Sequence, residues 1–251
     1  MNEIVKPRSV GIIGWGAFGR FVAELAHTQA SDVAVRVYAR SKEPDGVQFF
    51  SLEEVAQCDV VVLTVPIHAF EETLERVVPH LGAQSIVVDV ATVKGHTTEA
   101  LRKHCAQVPY IATHPMFGPF SYEKTGHSLR GFRLVITEHT LPAETVRALE
   151  KWLASLGLVI LHLTPDEHDR MLAETLFLTH LIAQGTVEGG FKRTEIDTVS
   201  FGFLMDAVES VKHDTELFRD VYRYNRHCRD IPRRLRDALS RVETGLEGRG
   251  S

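Results

Sequence analysis

The run Ser9-Val10-Gly11-Ile12-Ile13 is compact and β-branched, and it breaks at once into Gly14-Trp15-Gly16-Ala17-Phe18-Gly19. From Arg20 to Gln29 the apolar residues Phe21, Leu25 and Ala26 then return at helical spacing. Strand, glycine loop and helix in that order predict the first βα turn of a doubly wound parallel sheet. The first glycine permits a tight turn, the second lets backbone approach a pyrophosphate, and the third lets helix and strand pack closely. Free N–H groups at the helix start suit a phosphate. Gly14, Trp15, Gly16, Ala17, Phe18 and Gly19 are therefore the expected dinucleotide cradle.

The next strand, Asp32 to Ala39, ends about 20 residues past the fingerprint, where an NAD-binding chain offers Asp or Glu to a ribose hydroxyl. This chain offers Arg40, Ser41 and Lys42 instead. A guanidinium and an ammonium suit the 2′-phosphate of NADP, so NADP is the expected cofactor, with NAD as the other possibility. The alternative is a solvated basic turn.

Val60–Val65 is a continuous apolar run closed by Pro66, as expected for a parallel strand covered on both faces. Thr64, Val65 and Pro66, at its end, are expected cofactor neighbours. A helix from His68 to about Pro79 follows, then a strand from Ser85 to Val90. Its exit, Asp89 to Gly95, brings the hydroxyl of Thr92 and the ammonium of Lys94 to the carboxyl edge of the sheet, where ligands bind in open α/β sheets. A helix from Thr97 to Cys105 leads to an apolar run, Val108–Ile111, and then to Ala112-Thr113-His114-Pro115-Met116-Phe117-Gly118-Pro119. Its prolines and glycine forbid a helix, so His114 is expected on a fixed loop leaving the sheet edge. An irregular stretch is expected from Phe120 to Gly131, then a strand Phe132–Thr137, a helix Pro142–Leu156 and a last strand Leu158–Leu163.

From Thr164 strand signals stop. Three helices are expected, Pro165 to about Gly189, Ser200 to Lys212 and Thr215 to Val242, with a disordered tail over 245–251. The organisation is thus a Rossmann-type dinucleotide-binding domain, residues 1–164, followed by an all-α domain, residues 165–251. Broad apolar stripes on the helical part favour dimerisation through it. The net charge of −5 argues against nucleic acid as a partner. Three separated cysteines, Cys58, Cys105 and Cys228, fit neither a metal motif nor a disulfide framework and suggest a reducing cytoplasm. The longest apolar run is far short of the ~20 residues that span a membrane, so a soluble protein is expected.

Asp89-x-x-Thr92-Val93-Lys94, Thr113-His114-Pro115-Met116-Phe117-Gly118-Pro119, and Glu167-His168-Asp169-Arg170 with Leu178-Thr179-His180 follow the glycine fingerprint in that order. Together they resemble the prephenate/arogenate dehydrogenase family of tyrosine biosynthesis, from Val10 to about Asn225. The resemblance implies a Rossmann domain, a helical dimerisation domain, no metal, and oxidative decarboxylation of a cyclohexadienyl acid with NAD or NADP. It makes His114 the catalytic histidine, since neutral imidazole has the pKa to accept a hydroxyl proton near neutral pH. Thr92 stands where the family usually has serine, a mild departure that keeps the hydroxyl. Met116 on the same loop is an expected cofactor neighbour. Lys94 has two readings, attraction of a substrate carboxylate or pairing with a nearby acid.

The resemblance also makes His168, His180 and Arg219 candidate substrate ligands. At about 100° per residue, Asp169, Leu172, Leu176 and His180 fall on one line, whereas His168 lies about 120° from His180, so the histidines are not a metal pair. Arg219, Arg223 and Arg226 share one face of the expected last helix, and Arg219 matches a substrate-binding arginine of some relatives. Phe120 departs from the acidic or polar residue that many relatives carry near the substrate side chain. That leaves prephenate, arogenate and an amino-substituted prephenate as alternative substrates. A non-catalytic NADP sensor is a further alternative. Neither a fused chorismate mutase nor a separate tyrosine-binding domain is expected.

Overall fold

A computed structural model describes residues 7–248, folded as two compact units, Met1–Asp166 and Glu167–Ser251. The first unit is built on β1 (Ser9–Ile13), α1 (Ala17–Gln29), β2 (Ala34–Tyr38), α2 (Leu52–Ala56), β3 (Val60–Leu63), α3 (Phe70–Val77), β4 (Ile86–Asp89), α4 (Lys94–His104), β5 (Tyr110–Pro115), α5 (Pro119–Lys124), β6 (Arg133–His139), α6 (Ala143–Ser155) and β7 (Val159–His162). The strands form one sheet in the order β2-β1-β3-β4-β5-β6-β7. All neighbours are parallel except β5 and β6, which run antiparallel. Strand order reverses between β1 and β3, so the exits of these two strands flank the crevice where open α/β sheets take their ligands.

Burial explains why the central strands read as unbroken apolar runs. Adjacent residues of β1 face opposite layers: Ile12 packs with Ala23 of α1 and Val37, while Ile13 joins Val61, Leu63, Phe70, Leu74 and Leu101 beneath α2, α3 and α4. Helices thus cover both faces. The helix α2 is absent from the sequence reading although its signal is present. Ser51 accepts from the N–H of Glu54 and the Glu54 carboxylate accepts from the N–H of Ser51, a capping box written as Ser-x-x-Glu. Another departure is α5, inside the stretch expected to be irregular. Pro119 occupies its first turn and Ser121 Oγ accepts from the Gly118 N–H at 3.0 Å, enough to close one short helix.

The second unit holds α8 (Leu178–Glu188), α9 (Val199–Val211), α10 (Thr215–Tyr224) and α11 (Ile231–Glu247), and α7 (Pro165–Leu172) leads into it. Between α7 and α8 the helix passes through a π-helical segment, Ala173–Phe177. Ala183, Met205 and Val208 form one small core, and Phe177 stacks with Phe218 at 5.1 Å and with Tyr222 at 5.8 Å. The single helix expected from Thr215 to Val242 is two. Asn225 ends α10, its side-chain oxygen accepting from the His227 N–H, and Pro232 lies in the first turn of α11, where its missing N–H costs nothing. The helix also continues to Glu247, so residues 245–247 of the expected disordered tail are helical, and 249–251 lie outside the described residues. Among the described residues no helix is long and apolar enough to cross a membrane.

Candidate functional site

The glycine loop leaves β1 with Gly14 at φ +114°, a conformation that L side chains rarely adopt, and a β-carbon there would lie 2.6 Å from the Thr64 carbonyl oxygen. A β-carbon on Gly19 would lie 2.3 Å from the carbonyl oxygen of Gly14. Thr64, at the exit of β3, donates its hydroxyl to the Ile13 and Gly14 carbonyls, each at 3.1 Å, and so ties the loop to the neighbouring strand. Gly16 differs from both: it is exposed, and nothing lies within 4 Å of where its β-carbon would be. Gly16 is also the N-cap of α1, with no side-chain cap and no acid in the first turn. Uncapped N–H groups beside an open glycine fit a pyrophosphate. Trp15 and Phe18 are half-buried beside this opening, Ala17 is exposed, Val65 is half-buried and Pro66 exposed.

At the end of β2, Arg40, Ser41 and Lys42 are all exposed. The ammonium of Lys42 lies 5.9 Å from the ring centre of Phe49, and that ring meets Trp15 edge-on at 5.5 Å. Glycine loop and basic turn thus share one aromatic neighbour.

The carboxyl ends of β4 and β5 bear Thr92, Lys94 and His114 at or just beyond them. His114 is the penultimate residue of β5, paired with Val135 of β6 and 5 % exposed, rather than on a loop. The antiparallel partner extends pairing through Pro115, and the Met116 N–H donates to the Arg133 carbonyl at 2.9 Å, so the proline ends the ladder instead of preceding it. Thr92 is half-buried in the turn between β4 and α4. Lys94 is fully buried. Its ammonium donates to Asp89 Oδ2 and, at 2.6 Å, to the Thr113 carbonyl. Asp89 also accepts from Thr97 Oγ1 at 2.7 Å, and its own carbonyl accepts from Thr113 Oγ1 at 2.8 Å. Of the two readings of Lys94, pairing with an acid is the one observed, and its side chain has no exposure to a ligand carboxylate. The sequence reading missed Asp89, Thr97 and Thr113 as its partners, although an aspartate closing the apolar run Ile86-Val87-Val88 was the available signal.

Met116 is 38 % exposed and Phe120, at the start of α5, 44 %. The ammonium over the Phe120 ring is the protein's own, Lys124 Nζ at 4.8 Å from its centre.

In the second unit, His168 is 3 % exposed and its Nδ1 donates to Asp169 Oδ1 at 2.9 Å, while Asn225 Nδ2 donates to the Asp169 carbonyl at 2.7 Å. His180 is also 3 % exposed. Its Nδ1 lies 2.9 Å from the Leu176 carbonyl, which only accepts, so Nδ1 carries a proton, and in the neutral ring Nε2 is the acceptor. That Nε2 is buried with no hydrogen-bond partner among the described residues. The π turn revises the helical phase, because one added residue withdraws about 100° from every later position. His168 and His180 therefore stand about 20° apart rather than 120°, on one face but about 17 Å apart along the axis, too far to share an ion. The same shift buries Phe177 instead of Leu176. Arg219 and Arg223 are exposed on α10, whereas Arg226 falls beyond its end and leaves the expected stripe. Elsewhere, Glu71, Glu75 and His104 gather possible ligand atoms within 4.8 Å of one another, and Lys103 donates to Glu71 at 2.8 Å, making an ion-pair cluster of the surface.

The family model described as prephenate dehydrogenase, nucleotide-binding domain, matches residues 36–161, and one described as TYRAAT1-like, C-terminal domain, matches 187–251. Arogenate dehydrogenase 2, chloroplastic, of Arabidopsis thaliana is 27 % identical over 255 residues, covering 96 % of this chain and 70 % of that protein. Cyclohexadienyl dehydrogenase of Zymomonas mobilis is 26 % identical over 237 residues, covering 85 % and 80 %. Among solved structures, prephenate dehydrogenase from A. aeolicus in complex with hydroxyphenyl propionate and NAD+ superposes with a TM-score of 0.75 at 18 % identity, over 98 % of this chain and 93 % of that one. A nucleotide-binding sheet built around an open glycine cradle, with a matching family model over half the sequence, fixes the kinship: the chain belongs to the prephenate dehydrogenase family.

Proposed function

We propose that the protein catalyses NADP-dependent oxidative decarboxylation of a cyclohexadienyl acid, arogenate to tyrosine or prephenate to 4-hydroxyphenylpyruvate, with His114 as the base and Thr92 as an orienting hydroxyl. The observation that carries this reading is a nearly buried imidazole at the carboxyl end of β5, on the sheet edge that also bears the glycine cradle. The bound nicotinamide supplies the acceptor for the hydride on the ring carbon that bears the hydroxyl. His114 accepts the hydroxyl proton as the carbonyl develops. The electron pair of the bond to the ring carboxylate then moves into the ring, carbon dioxide leaves, and the proton returns to the phenolic oxygen. Aromaticity drives the sequence, so the protein's task is placement and one proton transfer. Arg40, Ser41 and Lys42 are the groups that favour a 2′-phosphate. His168, His180 and Arg219 are the substrate ligands the reading draws from the helical unit.

Replacement of His114 by Asn tests the reading. Turnover is expected to fall by about 10²–10⁴, the usual worth of a positioned base, with cofactor affinity and melting temperature retained. Assays at 340 nm with prephenate, arogenate and the amino-substituted analogue assign the substrate, and near-normal turnover of the Asn variant would refute the role.

Homodimerisation through the helical unit belongs to the same reading. Leu239, Val242 and Leu246 of α11 are 59–76 % exposed, and with Leu181, Pro232 and Leu235 they line an open groove of about 560 Å³. Light scattering showing a monomer at micromolar concentration would sink it.

A further inference from the structure

The chain between Lys42 and Phe50 makes a closed loop that returns to the edge of β2. Asp45 Oδ1 accepts from three backbone N–H groups, those of Val47 at 2.9 Å, Gln48 at 2.8 Å and Phe49 at 2.8 Å. The Phe49 carbonyl in turn accepts from the N–H groups of Asp45 and Gly46, at 2.9 and 3.2 Å, with Gly46 at φ +68°. Beyond the loop the chain docks on β2: the Val37 N–H donates to the Gln48 carbonyl and the Phe50 N–H to the Val37 carbonyl, framing a parallel bridge between Val37 and Phe49. These bonds hold Asp45 charged, its carboxyl below the usual range, chiefly through the Val47 N–H.

The loop thereby fixes one ring. Phe49 is half-buried against Ile12, Val37 and Trp15, and its free face carries the Lys42 ammonium at 5.9 Å. A lysine on an exposed turn has many rotamers, and a ring beneath its ammonium narrows them. Asp45 lies too far along the chain to replace the carboxylate that ends β2 in NAD-binding sheets, and its Oδ1 is taken by backbone.

We propose that Asp45 and Phe49 are positioning residues for cofactor choice: the Asp45-closed loop seats the Phe49 ring, and the ring presents Lys42, beside Arg40, to the 2′-phosphate of NADP. The inference rests on the NADP reading above and adds to it two residues that touch no phosphate.

Calorimetric titration of the full chain with NADP+ and with NAD+ tests both, since the two ligands differ only by the 2′-phosphate. The wild type is expected to bind NADP+ about tenfold or more tightly than NAD+, and Lys42→Ala to lose most of that ratio. Phe49→Leu and Asp45→Asn are expected to reduce the ratio about fivefold or more with NAD+ affinity little changed, and Phe49→Tyr to retain it. A loss of fold would weaken both ligands alike and leave the ratio standing. A ratio unchanged in Phe49→Leu and Asp45→Asn, with NAD+ affinity retained, overturns the inference while sparing the NADP reading. So does a ratio that rises in Asp45→Asn, the result expected of a carboxylate that repels phosphate. A wild type without preference for NADP+ overturns the NADP reading itself and the inference with it.

Discussion

Lys94 Nζ donates to Asp89 Oδ2 at 2.5 Å with both side chains at 0 % exposure, and the same ammonium holds the carbonyl of Thr113, the residue before His114. A buried charge stripped of its partner is expensive, whereas removing both charges is cheaper. Lys94→Met is therefore expected to cost about 3–5 kcal/mol in urea unfolding, because Asp89 loses its ion-pair partner in the interior. The double variant Asp89→Asn, Lys94→Met is expected to be more stable than Lys94→Met alone, although it lacks both partners. A Lys94→Met loss below about 1 kcal/mol would show that the pair is solvated in the native protein.

The three glycines of the loop separate into two kinds of constraint. Gly19→Ala forces a β-carbon to 2.3 Å from the Gly14 carbonyl oxygen, so α1 must shift off β1, with an expected cost of about 1–3 kcal/mol, seen in the melting temperature. Gly14→Ala adds strain at φ +114° to its clash with Thr64. Gly16→Ala meets nothing within 4 Å, so it is expected to keep the wild-type melting temperature and yet to weaken dinucleotide binding by narrowing the cradle. Equal cofactor affinity in Gly16→Ala would mean that the backbone is not approached there.

The central parallel strands were legible because helices cover both faces and β3 and β4 read as apolar runs, and the glycine spacing carries its own geometry. The helical unit was less legible. Nothing in Ala173-Glu174-Thr175-Leu176-Phe177 announces a π turn, yet that one inserted residue decides which face His180 shares with His168. Pro232 marks the break between α10 and α11, a signal that the helix expected from Thr215 to Val242 ran through. Lys94 illustrates a different limit: a lysine at a ligand-binding edge reads equally as a ligand or as the partner of an acid until its depth is known, because burial is set by the strands on either side and not by its neighbours in sequence.

Acid stability offers a third test. Glu138 on β6 accepts from the Arg102 guanidinium and from the Tyr110 hydroxyl at 2.7 Å, and these bonds, that of Arg102 foremost, hold its carboxyl below the ordinary range. A group depressed in the folded state contributes stability that is fully present above its unfolded pKa, about 4.3, and is lost as pH falls through the folded value. The wild type should therefore lose more melting temperature than Glu138→Gln between neutral pH and about pH 3, and the two should differ most above pH 5. Parallel curves for the two proteins would mean that Glu138 titrates alike in the folded and unfolded chains.

His180 poses the remaining question, since a buried acceptor without a partner costs about 1–3 kcal/mol unless something fills it. The imidazole lies parallel to the Phe218 ring, 7° between planes and 6.1 Å between centres, so a phenyl group fits the same slot. His180→Phe removes the orphan Nε2 and keeps the stack, and the free variant is expected to melt at the wild-type temperature or above it. If Nε2 receives a donor from the substrate, the same variant should lose about tenfold or more in kcat/KM for the cyclohexadienyl acid. The two readouts moving in opposite directions would mark stability given up for recognition. A variant that is less stable would mean that the lost bond from Nδ1 to the Leu176 carbonyl, or a partner of Nε2, outweighs the orphan, and one with unchanged kcat/KM would leave His180 as a packing residue of the helical unit.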